Sequence, residues 1–326
     1  MRDRKRIFWL LALTIFIVSE LLFPSGAAAA KKYLSLGTGN PGGTYYFIGA
    51  GFASIFNKHV PGIRVIAEST AAAEENFNYI LRKKMDLGIV SCNPIKAAAD
   101  KNMGFGNIRL MAMGHTSDQH WFVRKATPIQ SIADFKRHKV TVGQPGSGTL
   151  IMARWVLEAC GLTLNDFKPA YLSFTESVTG IKDNTVDVGL IAAGYPVASL
   201  LDLTRQIPSR LISYTPKELD AVFVKIPYLV KVTIPAGTYT GIATDTPTHG
   251  SPAALACRDD LSEDIVYQLM KALYEHPKER DAIHPQARQW SLETVFRGAD
   301  FVTRYFPFHP GAVKYLKEKG LWKGKD

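Results

Sequence analysis

Hydrophobic and polar positions along this chain switch between a period of two and a period near 3.6, as strands alternating with helices require. Tyr33-Leu34-Ser35-Leu36 alternates and predicts a strand. The run Gly37-Thr38-Gly39-Asn40-Pro41-Gly42-Gly43 follows, suited to a tight turn that exposes backbone. Ile48, Phe52, Ile55 and Phe56 then stand at i, i+4, i+7 and i+8 and predict an amphipathic helix. Pro61-Gly62 turns the chain into a second strand over residues 63–67. Ser69 or Thr70 is the expected cap of a helix with Ala73, Phe77, Ile80 and Leu81 on its apolar face.

An internal echo suggests two similar halves. Asp86-Leu87-Gly88-Ile89-Val90 reads as a buried strand, followed by a turn at Ser91-Cys92-Asn93-Pro94 and a short helix. About a hundred residues later Asp187-Val188-Gly189-Leu190-Ile191 repeats the pattern, with a turn at Ala193-Gly194-Tyr195-Pro196 and a helix carrying Val197, Leu200 and Leu201. Between them lies a second glycine-rich turn, Gln144-Pro145-Gly146-Ser147-Gly148. It comes after the strand Lys139-Val140-Thr141-Val142-Gly143 and before a helix that opens at Thr149 and buries Leu150, Ala153 and Leu157. Gly161 is placed as the glycine beyond that helix's C-terminus. Residues 234–248, rich in Pro, Gly and Thr, read as a return crossing between halves, and residues 253–257 as a strand. Ile265, Leu269 and Leu273 stripe a further helix, and His309-Pro310-Gly311 opens a basic terminal one. Open α/β sheets bind ligands at the carboxyl ends of their strands, so two such ends facing each other would form a closing cleft.

The first thirty residues do not fit this pattern. Arg2, Arg4, Lys5 and Arg6 precede an uncharged run over residues 7–18, and Ala27-Ala28-Ala29-Ala30 supplies small residues before Lys31. This is the order of a cleaved signal peptide, and the run is short for a bilayer span of about 20 residues. The expected location is therefore periplasmic, with a mature chain starting at Lys31. No Cys follows the apolar run, which argues against a lipoprotein. The chain has a formal charge of +10, and loss of the leader leaves +8 (10 − 2). Such a balance steers anionic solutes. The cations are scattered rather than interleaved with aromatics, so nucleic acid is not an expected partner. Cys92, Cys160 and Cys257 have no zinc or disulfide-framework spacing.

The residues point to binding rather than catalysis. Gly37-x-Gly39-x-x-Gly42 satisfies a dinucleotide fingerprint, but an exported chain is a poor place for a nicotinamide enzyme. What carries over is that free N–H groups at a helix start attract anions, here and again at Gly146-Ser147-Gly148-Thr149. Neither run has the Lys of a P-loop, and Ser147 is not in a G-x-S-x-G elbow. His115 and His120, with Asp118 between them, lack a third spaced ligand and read as surface or satisfied core histidines. No catalytic residue, cofactor or metal is expected.

The ensemble resembles the TAXI-type solute receptors of TRAP transporters. The carriers are Gly37-Thr38-Gly39-Asn40-Pro41-Gly42-Gly43-Thr44-Tyr45-Tyr46, Val142-Gly143-Gln144-Pro145-Gly146-Ser147-Gly148-Thr149, and, in order, Glu68-Ser69-Thr70 to Asn76, the two Asp-x-Gly strands, Gly194-Tyr195-Pro196 and His309-Pro310-Gly311-Ala312. The resemblance implies an α/β, two-lobed periplasmic binding protein of type II with its cleft between the lobes. The expected domains are a signal peptide over 1–30, lobe 1 from 31–122 plus 235–326, and lobe 2 from 123–234. It implies capture of a small organic anion (dicarboxylate, oxoacid or glutamate-like) for delivery to TRAP membrane permease subunits, by a monomer. By position Gly43, Thr44, Tyr45 and Tyr46 would wall the pocket, Asn76 would donate a hydrogen bond, and Ser147, Gly148 and Thr149 would hold a carboxylate. Gly194 and Tyr195 would close from the second lobe.

Two departures alter the expected ligand. Thr70-Ala71-Ala72-Ala73 replaces the family's usual Thr-Gly-Gly-Ser, and Ser91-Cys92-Asn93 replaces Gln-Ser-Asp, which places Cys92 and Asn93 at the wall. An amide cannot pair with an ammonium as a carboxylate does, which favours an acid without an α-amino group. Competing readings are an ABC-type receptor of the same fold, a receptor docking on a membrane sensor kinase, and an exported hydrolase using Ser147.

Overall fold

The computed structural model describes residues 31–322 and Gly324. The expected signal peptide and its cleavage point lie outside the described residues. No helix among the described residues is long and apolar enough to cross a membrane.

The chain opens with β1 (Lys32–Gly37), α1 (Thr44–His59), β2 (Ile63–Glu68), α2 (Ala73–Leu81), β3 (Leu87–Ser91) and α3 (Cys92–Asp100). β1 lies parallel to β3, with Leu36 opposite Leu87. Every residue of β3 is buried, which explains its unbroken apolar run: a strand covered on both faces has no polar side to alternate with. Two long strands follow, β4 (Ile108–Arg124) and, much later, β10 (Thr246–Arg258). Between them come β5 (Lys139–Thr141), α4 (Gly148–Ala159), β6 (Lys168–Ala170), α5 (Phe174–Lys182), β7 (Gly189–Ala192), α6 (Ala198–Gln206), β8 (Ser209–Ile212), α7 (Pro216–Lys225) and β9 (Val230–Ile234). The main sheet runs β2-β1-β3-β10-β4-β7, with β8 also on β4 and β9 on β10. β5 and β6 form a parallel pair, tied to the chain just before β7 by a bridge between Val140 and Val188. The chain ends with α8 (Glu263–Glu275), α9 (Pro277–Ile283), α10 (Ala299–Val302) and α11 (Pro310–Glu318), which cover the first half.

Burial divides the molecule. One core draws on residues 34–113 and 253–316, and two others on residues 121–229 and 122–242. β4 and β10 pass from one side to the other, antiparallel, and between the apolar ends they carry a belt of buried polar residues. His115, Thr116, Asp118, Gln119 and His120 of β4 lie alongside Thr246, Thr248, His249 and Ser251 of β10.

Three local expectations are corrected. Neither Ser69 nor Thr70 caps α2; the cap is Ala72, at φ 86°, while Ser69 bonds to the Gly39 carbonyl and Thr70 to Asn76. No turn intervenes at residues 91–94, because β3 passes straight into α3. Pro94 is tolerated there as the third helical residue, where the missing N–H had no intrahelical partner. The return crossing is shorter than expected, because residues 246–252 belong to β10. Pro252 is accommodated at a register shift against β4, where a ladder hydrogen bond is dispensable.

Candidate functional site

Five helices begin at one place. The first residues of α1 (Thr44, Tyr45), α2 (Ala73), α3 (Asn93), α4 (Gly148, Thr149) and α5 (Phe174), together with their caps Gly43, Ala72, Ser91, Ser147 and Ser173, line a single cavity. In this closed form the cavity volume is about 30 Å³, room for about two water molecules, so a solute enters only as the cleft opens. The strand ends explain the convergence: each strand delivers the chain to the same edge, where a glycine-rich turn before α1 and α4, or a direct junction from β3 to α3, starts a helix whose amino end faces inward.

The electrostatics follow from the backbone. The first amides of a helix have no intrahelical acceptor, and each helix start carries roughly half a positive charge. Among the described residues no Asp, Glu, Lys, Arg or His lines the cavity. Its positive character therefore comes from oriented peptide groups, an arrangement suited to an anion.

Most side-chain polar groups here are already paired. The Ser147 hydroxyl donates to the Gln144 carbonyl at 2.6 Å and accepts from the Leu150 amide, so it caps α4. Asn93 donates to the Gly148 carbonyl at 3.0 Å and accepts from the Tyr228 hydroxyl at 3.0 Å. Ser117 donates to the Tyr45 hydroxyl at 3.1 Å, and that hydroxyl donates to the Val90 carbonyl at 3.3 Å. Burial pushes the Tyr45 phenol well above its ordinary range, so it stays neutral. The Ser91 hydroxyl, 2% exposed, lines the cavity with no hydrogen-bond partner among the described residues. A buried hydroxyl left unpaired costs about 1–3 kcal/mol, a cost that a bound acceptor would remove.

Of the residues singled out from sequence, Gly43, Thr44, Tyr45, Asn93, Ser147, Gly148 and Thr149 meet at this cavity. The other five lie elsewhere. Tyr46 is half-buried and packs edge-on against Phe47. Asn76 is fully buried behind the wall, donating to the carbonyls of Thr38 and Ile89, both at 2.8 Å. Cys92 is sealed in the core, and burial drives its thiol far above the usual range. Gly194 and Tyr195 form a clasp rather than a wall: the Gly194 carbonyl accepts from Thr44 Oγ1 at 2.5 Å, and the Tyr195 carbonyl from Gln286 Nε2 at 2.6 Å.

Asn76→Ala would strand the Thr38 and Ile89 carbonyls in the core. A loss of about 2 kcal/mol in unfolding free energy is expected, read from urea denaturation, with Asn76→Asp no better because a carboxylate cannot donate.

Sequence reasoning missed Ser91, Ser117, Leu172 and Phe174, all on the cavity surface. Ser173-x-x-Glu176 is a capping box, and that signal could have located the start of α5 beside them. Ser117 carries no local signal, since it is one polar residue within a long strand. His115 and His120 are core residues. His115 accepts from the Trp290 indole at 2.9 Å, and His120 is bonded through both nitrogens, to the Asp118 carbonyl and the Tyr239 hydroxyl.

Solved structures share this architecture. The periplasmic aliphatic sulphonate binding protein SsuA from Escherichia coli is 15% identical, with a TM-score of 0.51 over 91% of this chain and 95% of that one. The alkanesulfonate-binding protein SsuA from Xanthomonas axonopodis pv. citri, bound to MOPS, is 15% identical at a TM-score of 0.50 over 91% and 96%. A protein from Bordetella bronchiseptica RB50 is 16% identical at 0.52 over 91% of each chain. At such identities the likeness concerns the fold, which is the α/β, two-lobed, type II periplasmic binding protein with its cleft between the lobes. Residues 36–320, nearly the whole of the described chain, match one family along their length, and the protein belongs to the NMT1-like family.

Proposed function

We propose that this protein is an extracytoplasmic solute receptor that closes on a small organic anion and delivers it to a membrane permease. The observation that carries this reading is the convergence of five helix starts on a cavity that no charged side chain lines among the described residues. The lobes are taken as 31–122 with 235–326, and 123–234. Bonds between the two sides hold the cleft shut: Glu75 N–H to the Gly146 carbonyl at 3.0 Å, Asn93 to Gly148, and Ser199 to the Gly42 carbonyl at 3.2 Å. The permease is assigned to the TRAP class on the motifs at residues 37–46 and 142–149. The fold is shared with ABC-type receptors, and a multi-span permease rather than an ATPase among the neighbouring genes would separate the two.

The ligand is a carboxylate without an ammonium group, a dicarboxylate or 2-oxoacid in preference to an amino acid, because no carboxylate lines the cavity to meet a cation. Mass spectrometry of small molecules that copurify with the protein identifies it directly. Succinate, 2-oxoglutarate, glutamate and ethanesulfonate are then compared by calorimetry. Tighter glutamate than 2-oxoglutarate binding would remove the amino-group argument, and ethanesulfonate as the tightest ligand would move the receptor to the sulfonate class. No uptake of any anion would end the reading. Ser91→Ala is expected to weaken binding about tenfold, roughly 1.4 kcal/mol, with the unliganded protein as stable as before or more so.

A further inference from the structure

Three helical segments begin on a His-Pro pair: α9 after His276, the short turn Pro285–Gln289 after His284, and α11 after His309. Proline suits the first helical position, and the side chain before it can cap the free amides. His284 and His309 do so, each accepting the amide two residues on at 3.1 Å. His276 does not cap α9. Its ring instead lies face to face with that of His59, with centroids 3.4 Å apart and planes 12° from parallel.

His59 is the last residue of α1, and Glu279 belongs to the first turn of α9. Glu279 Oε1 stands 3.0 Å from His59 Nε2 and 2.9 Å from Lys58 Nζ. The donor atoms of His59, His276 and Glu279 all lie within 4.8 Å of one another. Among the described residues no other three His, Cys, Asp or Glu side chains come together in this way. All three are half-buried, so water and ions reach them.

We propose that His59, His276 and Glu279 bind a divalent transition-metal ion of the zinc class, which ties the end of α1 to the start of α9. The donor set decides the class. Two imidazoles and one carboxylate, completed by water, suit zinc, whereas calcium and magnesium call for oxygen donors. Around a tetrahedral ion with bonds of about 2.0–2.1 Å the donors stand roughly 3.4 Å apart, so these atoms need converge by roughly 1–1.5 Å at most. Two parallel rings cannot both aim an in-plane nitrogen at one ion, so one must turn. His276 is the ring with no capping bond to break. Glu279 offers Oε2, because both of its contacts fall on Oε1. Lys58 is the competitor. Its side chain is 62% exposed, and such a surface pair contributes little, so the ion displaces it into solvent. The helix α1 spans 16 residues from the solute cavity, which puts this site about 22 Å from the cavity. The inference therefore does not rest on the anion reading.

Zinc chloride, titrated by calorimetry into the metal-stripped chain without an affinity tag, tests it. One ion per chain is expected, with affinity lower by at least tenfold in His276→Ala and in Glu279→Gln. Lys58→Gln, which removes the competitor, should bind zinc about two- to fivefold more tightly. Free zinc at a hundred times its Kd should raise the folding constant of wild type about a hundredfold in urea unfolding, and that of His276→Ala far less. Should a variant fail to fold, wild type loaded with cobalt(II) serves instead: the intense visible bands of a tetrahedral ion support the site, and the faint bands of a hydrated ion overturn it. No uptake by wild type up to about 1 mM zinc, or binding that persists undiminished in both His276→Ala and Glu279→Gln, overturns the proposal. Calcium or magnesium bound as tightly as zinc overturns the assigned class.

Discussion

Gly148→Asp is expected to abolish solute capture while the protein remains folded. Gly148 is the first residue of α4, and a Cβ there would stand 3.0 Å from Ser91 Oγ, 3.2 Å from the Ala73 methyl and 3.6 Å from Asn93 Nδ2. The new side chain therefore points into the cavity. Gly148 has no positive φ, so the substitution introduces no backbone strain. A carboxylate placed there takes the position of the solute anion, is favoured by the same helix starts, and holds the lobes apart. The affinity loss should exceed about a hundredfold, or some 2.8 kcal/mol, measured by calorimetry with the anion identified from the copurified material. Circular dichroism should be unchanged, since an acid in the first turn of a helix stabilises it by about 0.3–1 kcal/mol. Gly148→Ala, which adds only the crowding methyl, should lose about tenfold. Unaltered binding in Gly148→Asp would place the solute somewhere other than this cavity.

Trp290→Ala is expected to have the largest effect on stability, about 3–5 kcal/mol. The indole is fully buried, edge-on to Phe52 at 5.3 Å, and donates to His115 Nδ1 at 2.9 Å. It also occupies the space above Gly114 on β4, where an added Cβ would lie 2.1 Å from the ring. Removing it opens a cavity beneath the strand that crosses between lobes and leaves a buried imidazole nitrogen unpaired. The urea midpoint should fall with little change in the slope of unfolding free energy against urea. Trp290→Phe keeps most of the volume and loses the donor, so it should cost about 1–3 kcal/mol. A cost for Trp290→Ala below 1 kcal/mol would mean that the ring is not the support of β4 described here.

How much of the site could be read from the chain depends on the range of each interaction. The starts of α1 and α4 were legible because glycine-rich turns and helical periodicity are local: Gly43 to Tyr45 and Ser147 to Thr149 stand within a few residues of their signals. Asn76 was expected to donate a hydrogen bond in the pocket, and it donates instead into the core behind the wall. Whether its side chain faces the cavity or the carbonyls of Thr38 and Ile89 depends on strands 13 and 38 residues away. Cys92 sits between two cavity residues, yet its thiol turns into the core because successive residues at a strand-to-helix junction point to different sides. The clasp was legible as a turn and not as a meeting of segments, since its partners Thr44, Asp118, His284 and Gln286 come from three distant parts of the chain.

The sequence by itself determined the alternation of strand and helix over residues 33–91 and 139–161 and the two glycine-rich turns, because periodicity and turn chemistry act between neighbours in the chain. Tertiary structure alone decided the continuity of β10 through its prolines, the polar belt where β4 and β10 cross, and the meeting of five helix starts around one cavity. Those features depend on the pairing of segments more than a hundred residues apart, and no local pattern encodes which surfaces will face each other once the sheet is assembled.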